Sequence, residues 1–138
     1  MKNVSLFGFI TLILNLVSFT SCSSDNESEP LEEARYYVKY EVEFKTQHTN
    51  TEKNISFTTD KGSEKISFTE WTKTLSWEGT YGPVSKDFIA SIDCSVPSYS
   101  YSSEIHARIY LCREKEPFVI KAEGKGKYIL SLQSKIDF

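Results

Sequence analysis

The stretch Tyr36-Tyr37-Val38-Lys39-Tyr40-Glu41-Val42-Glu43-Phe44-Lys45 decides the fold of this chain. Apolar and aromatic side chains occupy every second position, and charged side chains occupy most of the positions between them. Successive side chains of an extended strand point to opposite faces, so the stretch predicts a strand with one buried and one solvated face. The alternating lysines and glutamates on its outer face are typical of a soluble sheet surface.

The same period of two continues along the rest of the chain, and no helical period occurs after the N-terminal region. Turn signals at Asp60-Lys61-Gly62, Glu78–Pro83, Pro97–Ser103 and Gly124–Lys127 separate the rows. We therefore expect an all-β domain, a seven- to eight-stranded immunoglobulin-like β-sandwich over residues 35–138. A closed barrel is the alternative. The predicted inward rows contain Ile55, Phe57, Ile66, Phe68, Phe88, Ala90, Ile92, Cys94, Val96, Ile105, Ala107, Ile109, Leu111, Leu130, Leu132 and Ile136. One further strand has Trp71, Lys73, Leu75 and Trp77 on the same face.

The first residues have the order of a secretory signal. Met1-Lys2-Asn3 carries one positive charge, Val4–Phe19 is mostly apolar, and Thr20-Ser21 are small. Phe19-Thr20-Ser21-Cys22 resembles a bacterial lipobox, which predicts that residues 1–21 are a lipoprotein signal peptide and that Cys22 is lipidated. The alternative is an ordinary cleaved signal in which Cys22 is incidental. The apolar run is short for a bilayer-spanning helix, which needs about 20 residues.

Residues 22–34 follow as the lipidated cysteine and a flexible acidic tether, because Ser23–Pro30 has no apolar side chain to bury. The tether resembles the acidic tag of surface-exported lipoproteins in Bacteroidota. We expect the chain to be anchored to the outer membrane through lipid, on the cell surface or the periplasmic face.

The net charge of the chain limits the classes of partner that it can bind. The formal net charge is −3 and the sequence has no basic patch, which argues against nucleic acid as a partner.

Cys94 and Cys112 remain after Cys22 is assigned to lipid. If their strands form a hairpin centred near Ser100, the two thiols are too far apart in register for a disulfide, so we expect free thiols. The alternative is a disulfide, which would require a shifted register or strands that face each other across two sheets.

The chain lacks the residue patterns of common enzymes. Neither His48 nor His106 belongs to a nucleophile or metal-binding motif, and the acidic residues are scattered. We therefore expect no catalytic activity, no cofactor and no metal.

Three tyrosines are the candidate ligand-binding residues. Tyr99 and Tyr101 lie in a serine-rich loop, and Tyr81 lies in the Gly-Gly-Pro region. Tyrosine in such loops provides a large contact area at low ordering cost. In the alternative interpretation these rings only shield strand ends, and Trp71 and Trp77 belong to the core.

Several short motifs resemble the mycobacterial membrane protein small (MmpS-type) family and a related group of small Bacteroidota lipoproteins. The matching stretches are Val38-Lys39-Tyr40-Glu41-Val42, Ile55–Gly62, Trp71-Thr72-Lys73 and Ile109-Tyr110-Leu111. Arg113–Glu116 replaces the Asp-Gly turn of that family, and a lipid anchor replaces its membrane helix. The resemblance implies a non-enzymatic accessory role beside a transporter.

These observations favour a lipid-anchored cell-envelope binding or accessory module that binds an envelope protein or a glycan. The alternatives are a structural subunit of a surface assembly, or a glycan-binding module that uses its loop tyrosines.

Overall fold

A computed structural model describes residues 34–69, 71–97 and 102–137, and this part of the chain is all-β. Residues 1–33 lie outside it, so the signal peptide, the tether and Cys22 remain predictions. The eight strands are β1 (Tyr36–Thr46), β2 (Lys53–Thr59), β3 (Gly62–Phe68), β4 (Thr74–Val84), β5 (Ile89–Ser95), β6 (Ser103–Arg113), β7 (Val119–Gly126) and β8 (Ile129–Lys135).

The strands form two antiparallel four-stranded sheets, which confirms the predicted fold class. The first sheet has the order β4-β1-β6-β7 and the second has the order β3-β2-β5-β8. Within the described residues no ladder joins the two sheets, so the architecture is a sandwich and not a closed barrel. Sandwich domains share this two-layer packing while differing in strand order.

The core lies between the inner faces of the central strands. Val38, Tyr40 and Phe44 on β1 are fully buried, as are Ile105 and Ile109 on the neighbouring β6. The second sheet supplies the opposing layer from β2 and β5. The predicted alternation on these four strands is therefore confirmed, because burying one face of a strand selects every second residue. The opposing layer contains Ile55, Phe57, Ala90, Ile92 and Cys94.

The two long sides of the sandwich are closed differently. At the β7–β8 side, glycine allows the sheets to approach: a Cβ on Gly124 would come within 2.8 Å of Leu132, and one on Gly126 within 2.5 Å of the Ile129 carbonyl oxygen. At the β3–β4 side, aromatic rings fill the gap. The ring of Phe57 lies 4.9 Å from that of Trp77 and 5.0 Å from that of Tyr81.

Two predicted turns are wrong. β4 continues through Glu78–Pro83 because it is an edge strand, where proline needs no partner for its nitrogen. Gly82 has φ of 137°, and the register with β1 shifts between Tyr36 and Val38, which accommodates one extra residue on β4. Gly124 and Gly126 belong to β7, and the chain reverses at Lys127 and Tyr128 instead.

The predicted hairpin around Ser100 is also wrong, since β5 and β6 belong to different sheets. Its conclusion about the cysteines nevertheless holds, because Cys94 and Cys112 are both free and buried. Burial raises the pKa of the Cys94 thiol to about 12. Burial also raises the pKa of the Cys112 thiol, so both thiols are protonated at neutral pH and are poor nucleophiles.

Consecutive strands run in opposite directions, so the connections alternate between two ends of the sandwich. Residues 47–52, 69–73, 96–102 and 127–128 connect strands at one end, which we call the loop end. Residues 60–61, 85–88 and 114–118 connect strands at the other end, which we call the base. Ala34, where the described chain begins, and Asp137 also lie at the base, because they flank β1 and β8 there.

Candidate functional site

Hydrogen bonds join all four connections of the loop end to one another. The Thr46 N–H donates to the Lys73 carbonyl at 2.7 Å, and the Gln47 N–H donates to the Ser102 carbonyl at 2.9 Å. The Val96 N–H donates to the Tyr128 carbonyl at 2.9 Å. Backbone groups held in this way leave the described residues of these connections fewer conformations, which pre-organises that part of the loop end for contact.

The side chain of Lys53, on β2, is hydrogen-bonded to two of these connections. Its side chain is fully buried, and its Nζ donates to the carbonyl of Thr51 at 3.2 Å and to that of Thr72 at 3.0 Å. An ammonium group removed from water needs such acceptors, because desolvation of a charge is otherwise costly. The buried amine therefore links the β1–β2 connection to the β3–β4 connection.

The loop end exposes two large apolar side chains. Trp71 is 75% exposed in the β3–β4 connection, and Ile129 is 72% exposed at the start of β8. The alternative interpretation that places Trp71 in the core is wrong, because β4 begins at Thr74 and the alternation does not extend to Trp71. Trp77 does pack against the core. Exposed tryptophan is enriched in binding hot spots, so Trp71 is a candidate contact residue that the sequence pattern did not indicate.

A shallow depression of about 770 Å³ lies at the edge of the loop end, on the side of the first sheet. It combines three lysines, Lys45, Lys125 and Lys127, with one carboxylate, Glu104. Lys45 is ion-paired with Glu43 at 3.0 Å. Amide and hydroxyl groups of Gln47 and Ser102 complete a lining that can hydrogen-bond a polar ligand.

Of the three predicted ligand-binding tyrosines, only Tyr81 belongs to the described residues. Tyr81 lies on β4 opposite Val38, away from the loop end, and its ring packs against Phe57 and Tyr40 between the sheets. Tyr99 and Tyr101 lie outside the described residues, in the connection whose flanking residues Pro97 and Ser102 belong to the loop end. Cys22 also lies outside the described residues.

The outer face of the first sheet carries a network of ion pairs. Arg108 on β6 contacts Glu123 on β7 at 2.7 Å and Glu41 on β1 at 3.5 Å. Lys39 contacts Glu41 at 2.6 Å, and the Tyr110 hydroxyl donates to Glu41 at 2.5 Å. The network joins the three strands β1, β6 and β7 through their outward side chains.

These contacts shift the pKa values of the carboxyl groups. Burial alone would raise the pKa of Glu41, but the hydrogen bonds from Lys39 and Tyr110 outweigh it and lower that pKa. Hydrogen bonds from Arg108 and His106 lower the pKa of Glu123. Each shifted carboxyl group is bonded to partners within this network, which is the usual pattern of a structural charge network.

His106 belongs to this network, with its Nε2 2.7 Å from Glu123 Oε1. A depression of about 200 Å³ beside it is lined by Glu41, Glu43, Glu78 and Arg108 among others. Among residues 34–69, 71–97 and 102–137, no group of three or more histidine, cysteine or acidic residues is placed to hold a metal ion. In the same part of the chain, no helix has the length and apolarity needed to cross a membrane.

Comparisons with protein-family models, with curated proteins and with solved structures find no match for this chain. The geometry of the described residues is therefore the basis for the functional inference. The resemblance to the MmpS-type family remains a proposal.

Lys53→Met tests whether the buried amine organises the loop end. Methionine keeps the apolar length but leaves the Thr51 and Thr72 carbonyls without this donor, so we expect a loss of about 1–3 kcal/mol in the free energy of unfolding. Amide exchange measured by mass spectrometry should rise in residues 47–52 and 71–73. Lys61→Met, in the exposed β2–β3 turn, is the control. Equal effects of the two substitutions would contradict this role.

The charge network predicts a pH dependence of stability. The pKa values of Glu41, Glu43 and Glu123 are lowered in the folded state, so their contribution is present above the unfolded pKa of about 4.3 and is lost as pH falls through the folded values. The urea midpoint should therefore drop between pH 5 and pH 3, as estimated from those unfolded values. Glu123→Gln should reduce this drop. An unchanged pH profile in that variant would show that the network adds nothing to acid sensitivity.

Proposed function

We propose that this protein is a lipid-anchored binding or accessory module of the cell envelope, which presents its loop end to a partner and catalyses no reaction. The observation that carries the proposal is the set of four connections at one end of the sandwich, which hydrogen bonds join to one another. This end lies opposite the base, where the described chain begins. Rigid scaffolds commonly place their binding residues on such loops.

The anchor in this proposal is the predicted lipid on Cys22, at the outer membrane on the cell surface or the periplasmic face. The part of residues 22–34 that follows Cys22 would then form the tether. An extended segment of this length reaches at most roughly 40 Å, which keeps the domain close to its membrane while leaving the loop end accessible. The absence of a spanning helix in the described residues is compatible with this arrangement.

The partner in this proposal is an envelope protein or a glycan. Trp71 offers an exposed ring, and the lysines and hydroxyl groups of the neighbouring depression offer polar contacts. Tyr99 and Tyr101 add two further aromatic side chains in the β5–β6 connection. Assistance to a transporter is the form of this role that the MmpS-type resemblance implies.

A structural subunit of a surface assembly is the second candidate. The favouring observation is β4, an eleven-residue strand at the edge of the first sheet, since an uncovered edge can accept a strand from another chain. Glu78 and Pro83 on β4 oppose such pairing. The binding module is therefore the better-supported function.

Cys22→Ser tests the anchor. Without the acyl chains the protein should leave the membrane fraction and become soluble, because stable anchoring requires two or more buried chains. Protease treatment of intact cells that make the unaltered protein should remove it if it is surface-displayed. Retention of Cys22→Ser in the membrane would contradict lipid anchoring. Oligomers of the released protein, measured by light scattering, would favour the structural subunit.

Trp71→Ala tests the loop end. The ring is 75% exposed, so its removal should change thermal stability little while reducing capture of a cross-linked envelope partner or binding to a glycan array. Ile89→Ala, at the base, is the control, because Ile89 is also an exposed apolar residue at 46%. Tyr99→Ala and Tyr101→Ala should weaken the same interaction. If Ile89→Ala reduces capture and the loop variants do not, the contact surface lies at the base.

A further inference from the structure

The base carries an apolar run that the fold leaves uncovered. Phe118, Val119 and Ile120 are consecutive, and they are 38%, 53% and 49% exposed. Three adjacent exposed apolar residues are unfavourable in water unless they make a contact with another surface. Every residue from 113 to 120 is exposed, so the described part of the chain does not cover this run.

The run lies beside the point where the chain passes into the domain. The Glu114 N–H, in the β6–β7 connection, donates to the Arg35 carbonyl at 2.7 Å. The described chain therefore begins, at Ala34, at the same end of the sandwich as the run. β1 and β6 each have eleven residues and so span roughly 36 Å. The distance between the base and the loop end is therefore similar to the reach of the tether.

The charges around the run favour an anionic surface. Four basic residues lie at the base, near the run and near Ala34, where the described chain begins: Arg35, Lys86, Arg113 and Lys115. Among the described residues none of the four takes part in an ion pair within 4.0 Å.

Among the described residues, the nearby carboxylates offset only part of this positive charge. Glu114 and Glu116 are two carboxylates among the four basic residues, while Asp137 is paired with Lys121 at 3.3 Å and Asp87 with Lys135 at 3.4 Å. Basic residues beside exposed apolar ones are the combination that binds the interface of an anionic bilayer.

We propose that the base docks onto a lipid bilayer, with Phe118, Val119 and Ile120 in the interface and the four basic residues against anionic headgroups. The inference rests on the proposed anchor at Cys22, because a small apolar contact alone gives weak and reversible membrane binding. The lipid on Cys22 and the docked base together hold the domain at the bilayer. Docking through the base points the loop end away from the bilayer and towards a partner.

The test uses the lipidated protein in vesicles of phosphatidylethanolamine and phosphatidylglycerol. A single cysteine introduced as Ile120→Cys is labelled with an environment-sensitive nitrobenzoxadiazole dye. Ile129→Cys is the matched control, because Ile129 is also an exposed isoleucine on an edge strand but lies at the loop end. Cys94 and Cys112 are buried, so labelling of the folded protein is directed to the new thiol.

We expect the label at position 120 to shift to shorter wavelength and brighten severalfold on vesicles, while the label at position 129 does not change. Adding Lys115→Glu and Arg113→Glu should reduce the shift at position 120 on anionic vesicles.

Protein that floats with the vesicles but shows no shift at position 120 would overturn the docking and leave the anchor intact. Protein that fails to float would overturn the anchor and, with it, the inference. A shift at position 120 without vesicles, accompanied by dimers in light scattering, would show that a second copy of the chain covers the run and would also overturn the proposal.

Discussion

Burial of one face of β1 is the constraint on which the rest of the structure depends. β1 pairs with β4 on one side and with β6 on the other, so its inward residues lie at the centre of the first sheet. Val38, Tyr40 and Phe44 are fully removed from water. A slip of one residue in either ladder would place Lys39 and Glu41 in the core, which fixes the register of the whole sheet. The outward face is thereby committed to the ion pairs around Arg108.

The alternation in the sequence predicted the fold class, the central strands and the composition of the core. It could not predict strand partners, because periodicity tells which face of a strand is buried and not which strand lies beside it. The hairpin around Ser100 failed for this reason, since the β5–β6 connection crosses from one sheet to the other. Local signals also misled where tertiary position outweighed them. Gly79 and Pro83 were read as a turn, but an edge strand tolerates both.

The candidate site was predicted less completely than the fold. The sequence indicated that loops with aromatic residues would carry the contacts, and Tyr81 was grouped with Tyr99 and Tyr101 on that basis. Tyr81 instead packs against Phe57, because a half-buried edge position favours a large ring over the gap between sheets. Trp71 gave the opposite error, since its spacing matched the inward row of β4. The ties between connections, such as that from Lys53 to Thr72, depend on contacts between distant residues and left no local signal.

The two tryptophans, Trp71 and Trp77, occupy contrasting surroundings, and this gives the molecule a built-in pair of optical reporters. Trp71 is largely in water at the loop end, whereas the partly buried Trp77 packs at a tilt against Phe57 of the core. Collisional quenchers such as iodide reach the first indole far more readily than the second. Ligand arrival at the loops and loosening of the interior would thus leave separate fluorescence signatures in the unmodified protein.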